Sequence, residues 1–205
     1  RKLYVIDVVN KSLVGSYAIP GISGGPAWGV AMPTSSPDVD LRPFGLGVRN
    51  GKVYVGIVNS AESTQSVADL KGYVFAFDIA TAQFNTTPLL TFGMQNPATD
   101  AFPEAGGNEY LPWPNTTTPS KSHQREPVLS DIDFIGSDMV VAIRNIGKDR
   151  FPGLDGTKMP DGTTDIFEWE GGSNGWGRLL KATPSGNGYV LESNGQYSQL
   201  TSTHN

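Results

Sequence analysis

The chain has 205 residues, with 15 Lys and Arg against 20 Asp and Glu, a net charge of -5 and no cysteine. No basic stripe offers a footprint for nucleic acid, no apolar run approaches the roughly 18 residues of a membrane span, and thiol chemistry, disulfides and zinc–thiolate sites are excluded. Charged residues make up only 17%, while 25 glycines and 15 prolines call for many turns, the composition of an all-β protein with short strands.

The first strand signal is LYVIDVV (residues 3–9), turned by NKS into LVGSYAI. FGLGVR (44–49) then meets KVYVGIV (52–58) across Asn50-Gly51, a pair that tolerates the positive φ of a type I′ hairpin turn. Residues 61–70 hold at most one short helical turn. YVFAFDIA (73–80) and PLLTFGM follow, and then SDIDFI (130–135) meets MVVAIRNI across Gly136-Ser137-Asp138. DIFEWEGG, GRLLKAT and GYVLESNG complete the set. Three segments resist strand assignment: 20–43, 93–127 and 148–165. Loops of that length inside a domain are usually functional or disordered.

Two units recur. VRNGKVYVGI (48–57) lines up with FIGSDMVVAI (134–143), and LYVIDVVNKSLVGSY with YVFAFDIATAQFNTT, each of the latter pair having an Asp just before its turn. Repeated units of this kind mark radial or stacked β architectures. The expected fold is therefore a β-propeller-like single domain of about two and a half blades, where closed propellers have about four to eight. It comprises a blade remnant (1–20), a blade (41–92), a long loop (93–127), a second blade (128–195) and a tail (196–205). A β-sandwich with long loops is the alternative. The chain is expected to be a mature or partial piece of a secreted protein.

RPFGLGVRNGKVYVGIVNSAEST, DLKGYVFAFDIATAQF, EYLPWPN and PVLSDIDF…MVVAIRNIGKDRF, spread over residues 41–150, resemble the propeller-like N-terminal region of bacterial secreted surface proteins. Those proteins carry SdrD B-like (Cna B-type) or adhesin-type modules. GRLLKA and YVLESNG echo the same region. The resemblance implies an extracellular or cell-surface location and a propeller architecture rather than a chemistry. One departure stands out: an Arg-Asp-Arg-Phe-Gly-like stretch is expected after the second hairpin, and here it reads RNIGKDRFPG (144–153).

Catalytic signals are sparse. His123 and His204 are the only histidines, and no Gly-x-Ser-x-Gly elbow marks a nucleophile. Asp131 and Asp133 share one face of a strand. With Glu126 they define a metal-dependent hydrolase of the lactonase type as an alternative reading. The ordinary role for such Asp residues is to accept hydrogen bonds from nearby backbone amides. Asp149, Asp155, Asp161 and Asp165 gather oxygens in one Gly-rich loop, a candidate Ca2+ site without EF-hand spacing; no other cofactor is expected. Asn10, Asn85 and Asn115 head Asn-x-Ser/Thr sequons at turns, and Thr116, Thr117 and Thr118 add O-linked candidates. Trp28, Trp113, Trp169 and Trp176 lie in or beside Gly/Pro-rich segments, where a Trp either covers the core or contacts sugars and partners. Trp28, Trp113 and Trp176 are taken as the contact candidates, and a carbohydrate-binding module is a further alternative. The leading expectation is a non-enzymatic adhesive or structural module of a surface or fibre-forming protein. Its partners would be other copies of itself, other surface modules or glycans.

Overall fold

The computed structural model describes residues 2–20, 40–94, 110–114, 126–146 and 178–191. These residues form an all-β structure of three antiparallel sheets. β1 (Lys2–Asp7) and β2 (Ser12–Ala18) make a hairpin. β3 (Leu41–Arg49), β4 (Lys52–Asn59), β5 (Lys71–Asp78), β6 (Gln83–Phe84) and β7 (Leu90–Gly93) make a five-stranded sheet. β8 (Pro127–Ile135), β9 (Asp138–Asn145), β10 (Arg178–Ser185) and β11 (Gly188–Leu191) make a four-stranded sheet, in sequence order from β8 to β11. The short helical turn allowed by the sequence is the 3-10 segment Val67–Asp69. The expected DIFEWEGG strand lies outside the described residues.

Turn chemistry explains why neighbouring strands pair. Asn50 and Gly51 have φ of 49° and 72°, the left-handed pair that reverses β3 into β4. Gly136 (φ 60°) and Gly186 (φ 56°) do the same between β8 and β9 and between β10 and β11. The β1–β2 and β5–β6 turns are built alike. Asp7 Oδ1 accepts hydrogen bonds from the Val9 and Asn10 amides at 2.8 and 3.0 Å. Asp78 Oδ1 accepts from the Ala80 and Thr81 amides at 3.0 and 3.1 Å. The fourth residue after each Asp, Lys11 and Ala82, has positive φ, 52° and 56°. The second repeat seen in the sequence is thus the same capped turn made twice.

β6 and β7 share one place in their sheet. Both pair with β5, β6 at Phe77–Asp78 and β7 at Lys71–Val74. Between them Asn85 bridges the gap: its backbone amide donates to Ala76 O at 2.9 Å, and its side-chain Oδ1 accepts from the Ala76 amide at 2.5 Å. The side chain stands in for a strand carbonyl, and the five strands fill four places.

The two large sheets stack face to face. β3 lies along β8 with both strands running the same way. A Cβ on Gly45 would sit 2.8 Å from Leu129 O, and one on Gly47 2.5 Å from Ile132 O. Glycine is required there because another backbone occupies the space of a side chain. Leu129 fills the gap over Gly56 as well. Around this contact Tyr54, Val58, Val74, Leu90 and Phe92 of one sheet join Ile132, Met139, Val141, Ile143 and Leu180 of the other in one buried cluster. The opposite face of the five-stranded sheet carries a second cluster, Leu41, Val55, Ile57, Tyr73 and Phe75, capped by Ile19. Tyr17 rests on Phe77 with ring centroids 4.6 Å apart. The hairpin, the five-stranded sheet and the four-stranded sheet are therefore three successive layers. Among the described residues they do not close into a ring or barrel.

Candidate functional site at the loop end of the sheets

The sheets have two unlike ends. The tight turns lie at one. The other receives the start of β3 and β8 and the end of β4, β7 and β9, so residues flanking the segments 21–39, 95–109, 115–125 and 147–177 all meet there. Loops carried on a rigid scaffold are where binding residues concentrate, which makes this end the candidate site.

Its floor is a polar clamp. Asp40, 1% exposed, precedes β3. Its carboxylate accepts from the Ser63 amide at 3.0 Å and from Ser63 Oγ at 2.6 Å, and its carbonyl accepts from the Ser60 amide at 2.7 Å. Bonds from these two donors to one buried carboxylate fix the β4–β5 connection on the entry of β3. Asn59 Oδ1 tightens the same turn by accepting from the Ala61 amide at 3.0 Å. Ala61 and Gln65 both adopt positive φ, 51° and 53°, an unfavoured conformation for Ala that the surrounding bonds hold. Arg42 forms an ion pair with Glu62 on the rim.

Trp113 ties the clamp to the second sheet. Its amide donates to Ser60 O at 2.9 Å, its carbonyl accepts from Gln65 Nε2 at 2.7 Å, and its indole Nε1 donates to Pro127 O at 3.2 Å. The Arg42 guanidinium lies 5.4 Å over its ring and Phe44 lies 6.1 Å away. Beyond it, the Glu126 amide donates to Asn145 Oδ1 at 2.9 Å, and Glu126 O accepts from the Ile146 amide at 3.0 Å. An unbroken polar path thus joins the entry of β3 to the entry of β8.

The expected site residues fall as follows. Trp113, expected as a partner contact, is 6% exposed and serves as a cover. The prolines on either side hold the backbone extended, and the Nε1 bond turns the indole inward. Glu126 is fully buried beneath the strand entry rather than facing an open mouth. Asp131 and Asp133 are exposed on β8, and each Oδ1 accepts from the amide of its own next residue, Ile132 at 2.9 Å and Phe134 at 2.8 Å. Among the described residues, no group of three or more acidic or histidine side chains is placed to hold a metal ion. Asn10 is exposed on the β1–β2 turn, with Nδ2 donating to Asp7 Oδ2 at 2.7 Å. Asn85 has both ends of its amide engaged, Oδ1 in the strand ladder and Nδ2 on Thr87 O. Trp28, Trp169, Trp176, Asn115, Thr116, Thr117, Thr118, His123, His204, Asp149, Asp155, Asp161 and Asp165 lie outside the described residues.

Sequence reasoning missed Asp40, Ser63, Gln65 and Asn145. The density of Asn, Ser, Glu and Thr in NSAESTQ, between two strong strands, was the available signal.

Fold and site together define a stacked antiparallel β protein in which the residues flanking its long connections lie at one end. No family model and no solved structure matches the chain. The chain is similar to Colossin-D of Dictyostelium discoideum, 32% identical over 113 residues, which are 55% of this chain and 11% of that protein. It therefore spans only a small part of the length of the curated relative it matches. Among the described residues no helix is long and apolar enough to cross a membrane.

Proposed function

We propose that the chain is a propeller-type structural module of a secreted or cell-surface protein, non-enzymatic, that holds its long connections at one end for contact with partner modules, further copies or glycans. The observation that carries this reading is the shared geometry of the two large sheets. Each fills four places in sequence order from its first strand outward, and their first strands lie against each other through Gly45 and Gly47. Radial architectures repeat sheets in this manner. A presenting rather than a catalytic role at the loop end is supported by the structural use of its polar groups: Asp40 holds Ser63, and Trp113 is tied to Gln65, Ser60 and Pro127. Similarity to a short portion of a much longer protein supports reading it as one module of a larger chain. Asn10, exposed on its turn, and Asn115 are the glycan positions this reading favours; Asn85 is disfavoured by its role in the strand ladder.

The test is binding of the labelled chain to intact cell surfaces and immobilised glycans. It is compared with a variant whose residues 115–125 are replaced by a Gly-Ser linker. Binding by the parent and loss in the variant, at unchanged melting temperature, supports the reading. Equal binding by both, or metal-dependent turnover of a simple lactone by the purified chain, overturns it.

A further inference from the structure

The face of the five-stranded sheet that meets the β1–β2 hairpin is covered at one side only. Its side chains run in rows across the strands. In one, Leu46, Val55 and Phe75 are register partners on β3, β4 and β5. Their exposures are 52%, 2% and 0%. In the next, Val48, Val53 and Phe77 are partners, and exposure falls from 72% at Val48 to 2% at Phe77. Each row is sealed at β5 and open at β3.

The repeat shows what an occupied face looks like. Aligning residues 48–57 with 134–143 puts Leu46 in the place of Ile132. Ile132 is 3% exposed because Gly47 of the neighbouring sheet lies directly against it. Leu46 has the same position in its own sheet and no such neighbour among the described residues.

The hairpin itself is an outer half. Its Asp7 turn repeats the two amide bonds of the Asp78 turn of β5–β6. On that alignment Tyr4 and Ile6, 60% and 61% exposed, take the places of Phe75 and Phe77. In its own sheet β5–β6 continues inward to β4 and β3, whereas among the described residues β1 pairs with β2 alone. Among the described residues two strand places are therefore unfilled beside β1, and the repeat puts them over Val48 and Leu46.

We propose that these places are filled by two further strands of the same polypeptide, N-terminal to β1. The inner of the two would set a glycine against Leu46 as Gly47 is set against Ile132. Every sheet neighbour of β4, β9 and β10 is its sequence neighbour, so the strand beside β1 is the one that precedes it. The likeness to a small part of a far longer protein supplies the context. A second copy pairing through its own β1 fits badly. The twofold axis of an antiparallel pair stands perpendicular to the sheet, which would bring both five-stranded sheets to the same side and into the same space. The inference rests on sheet stacking and not on the surface role.

The test uses the absence of cysteine from the chain. Leu46→Cys provides a single thiol at a half-exposed position, and Val190→Cys on β11 provides a control. The probe is a second copy of residues 41–71 fused directly before Arg1, in phase with the repeat. The expected result is rapid labelling of the Leu46→Cys thiol in the chain alone and labelling at least about tenfold slower in the fusion. Val190→Cys should label equally in both, and the melting temperature should rise by about 2–4 °C or more. Gly47→Val within the added copy should restore rapid labelling. Unchanged labelling in the fusion overturns the proposal. So does a thiol already shielded in the monomeric chain, which would mean that residues of the chain itself cover this face. Shielding that appears only with a dimer mass in light scattering assigns the surface to a second copy and likewise overturns it. None of these readouts depends on partner binding.

Discussion

The tight-turn end and the loop end are made stable by different means. At the tight-turn end each reversal is closed within a few residues: Asn50-Gly51, Gly136 and Gly186 supply left-handed backbone, and Asp7 and Asp78 accept from amides two and three residues ahead. At the loop end the bonds reach across the chain. Asp40 holds Ser63, Trp113 holds Ser60 and Pro127, and Asn145 holds Glu126. The first kind of order is local and survives the loss of a neighbour. The second is shared, so one substitution should loosen several segments together.

Trp113→Ala tests that difference most severely. It removes the ring beneath Arg42 and the indole bond to Pro127, and a loss of about 3–5 kcal/mol in urea unfolding is expected. Hydrogen exchange should accelerate at both the β4–β5 connection and the start of β8. Acceleration at one of these alone would show that Trp113 does not couple the sheets. Asp40→Ala should cost about 1–3 kcal/mol, because the Ser63 amide and hydroxyl lose the buried carboxylate that holds the β4–β5 connection. A cycle with Ser63→Ala should show the two substitutions to be less than additive. At the other end, Gly51→Ala places a side chain at φ 72° and should cost about 1 kcal/mol, with exchange faster only at the β3–β4 turn.

The smallest effect concerns pH. Hydrogen bonds from Asn10 first, and then Val9, lower the Asp7 carboxyl below 3.8; the Thr81 amide first, with help from Ala80, lowers Asp78 against an opposing cost of desolvation. A carboxyl with a lowered native pKa contributes stability above its ordinary value of 3.8 that is lost as pH falls through the lowered value. The double variant Asp7→Asn, Asp78→Asn should therefore flatten the acid limb of stability, lying slightly below the parent at neutral pH and converging with it as pH falls below about 4. An acid limb identical to that of the parent would remove these turns from the acid response.

The same contrast explains what could be read in the sequence. The hairpins at Asn50-Gly51 and Gly136, and the pairing of each Asp with a turn, were legible because both the cause and the effect lie within a few residues. The repeat of residues 48–57 at 134–143 was legible for the same reason, and its two copies are the first hairpins of the two large sheets. That Trp113 takes the covering role, one of the two open to it, and that Glu126 is buried could not be read locally, because partners distant in the sequence bury both. Asn85 reads as a sequon, and only the split of one outer strand into β6 and β7 gives its amide a ladder position to fill. Gly45 and Gly47 look like flexible points in a strand. Their requirement comes from a backbone more than 80 residues later in the chain, which no local pattern encodes.

Sequence-neighbour pairing also sets a timetable. Hairpins closed by two-residue turns form in about 1–10 μs, so β3 with β4 and β8 with β9 can each assemble without help. The Gly47–Ile132 contact must instead wait for a loop of that length to close, an entropic barrier that slows folding of non-local β structure. During synthesis the sheet from β3 to β7 is complete before β8 is made. Its glycine-lined flank then stands open as a surface on which an incoming strand can align, and stacking of the sheets becomes the step that determines how fast the native state is reached.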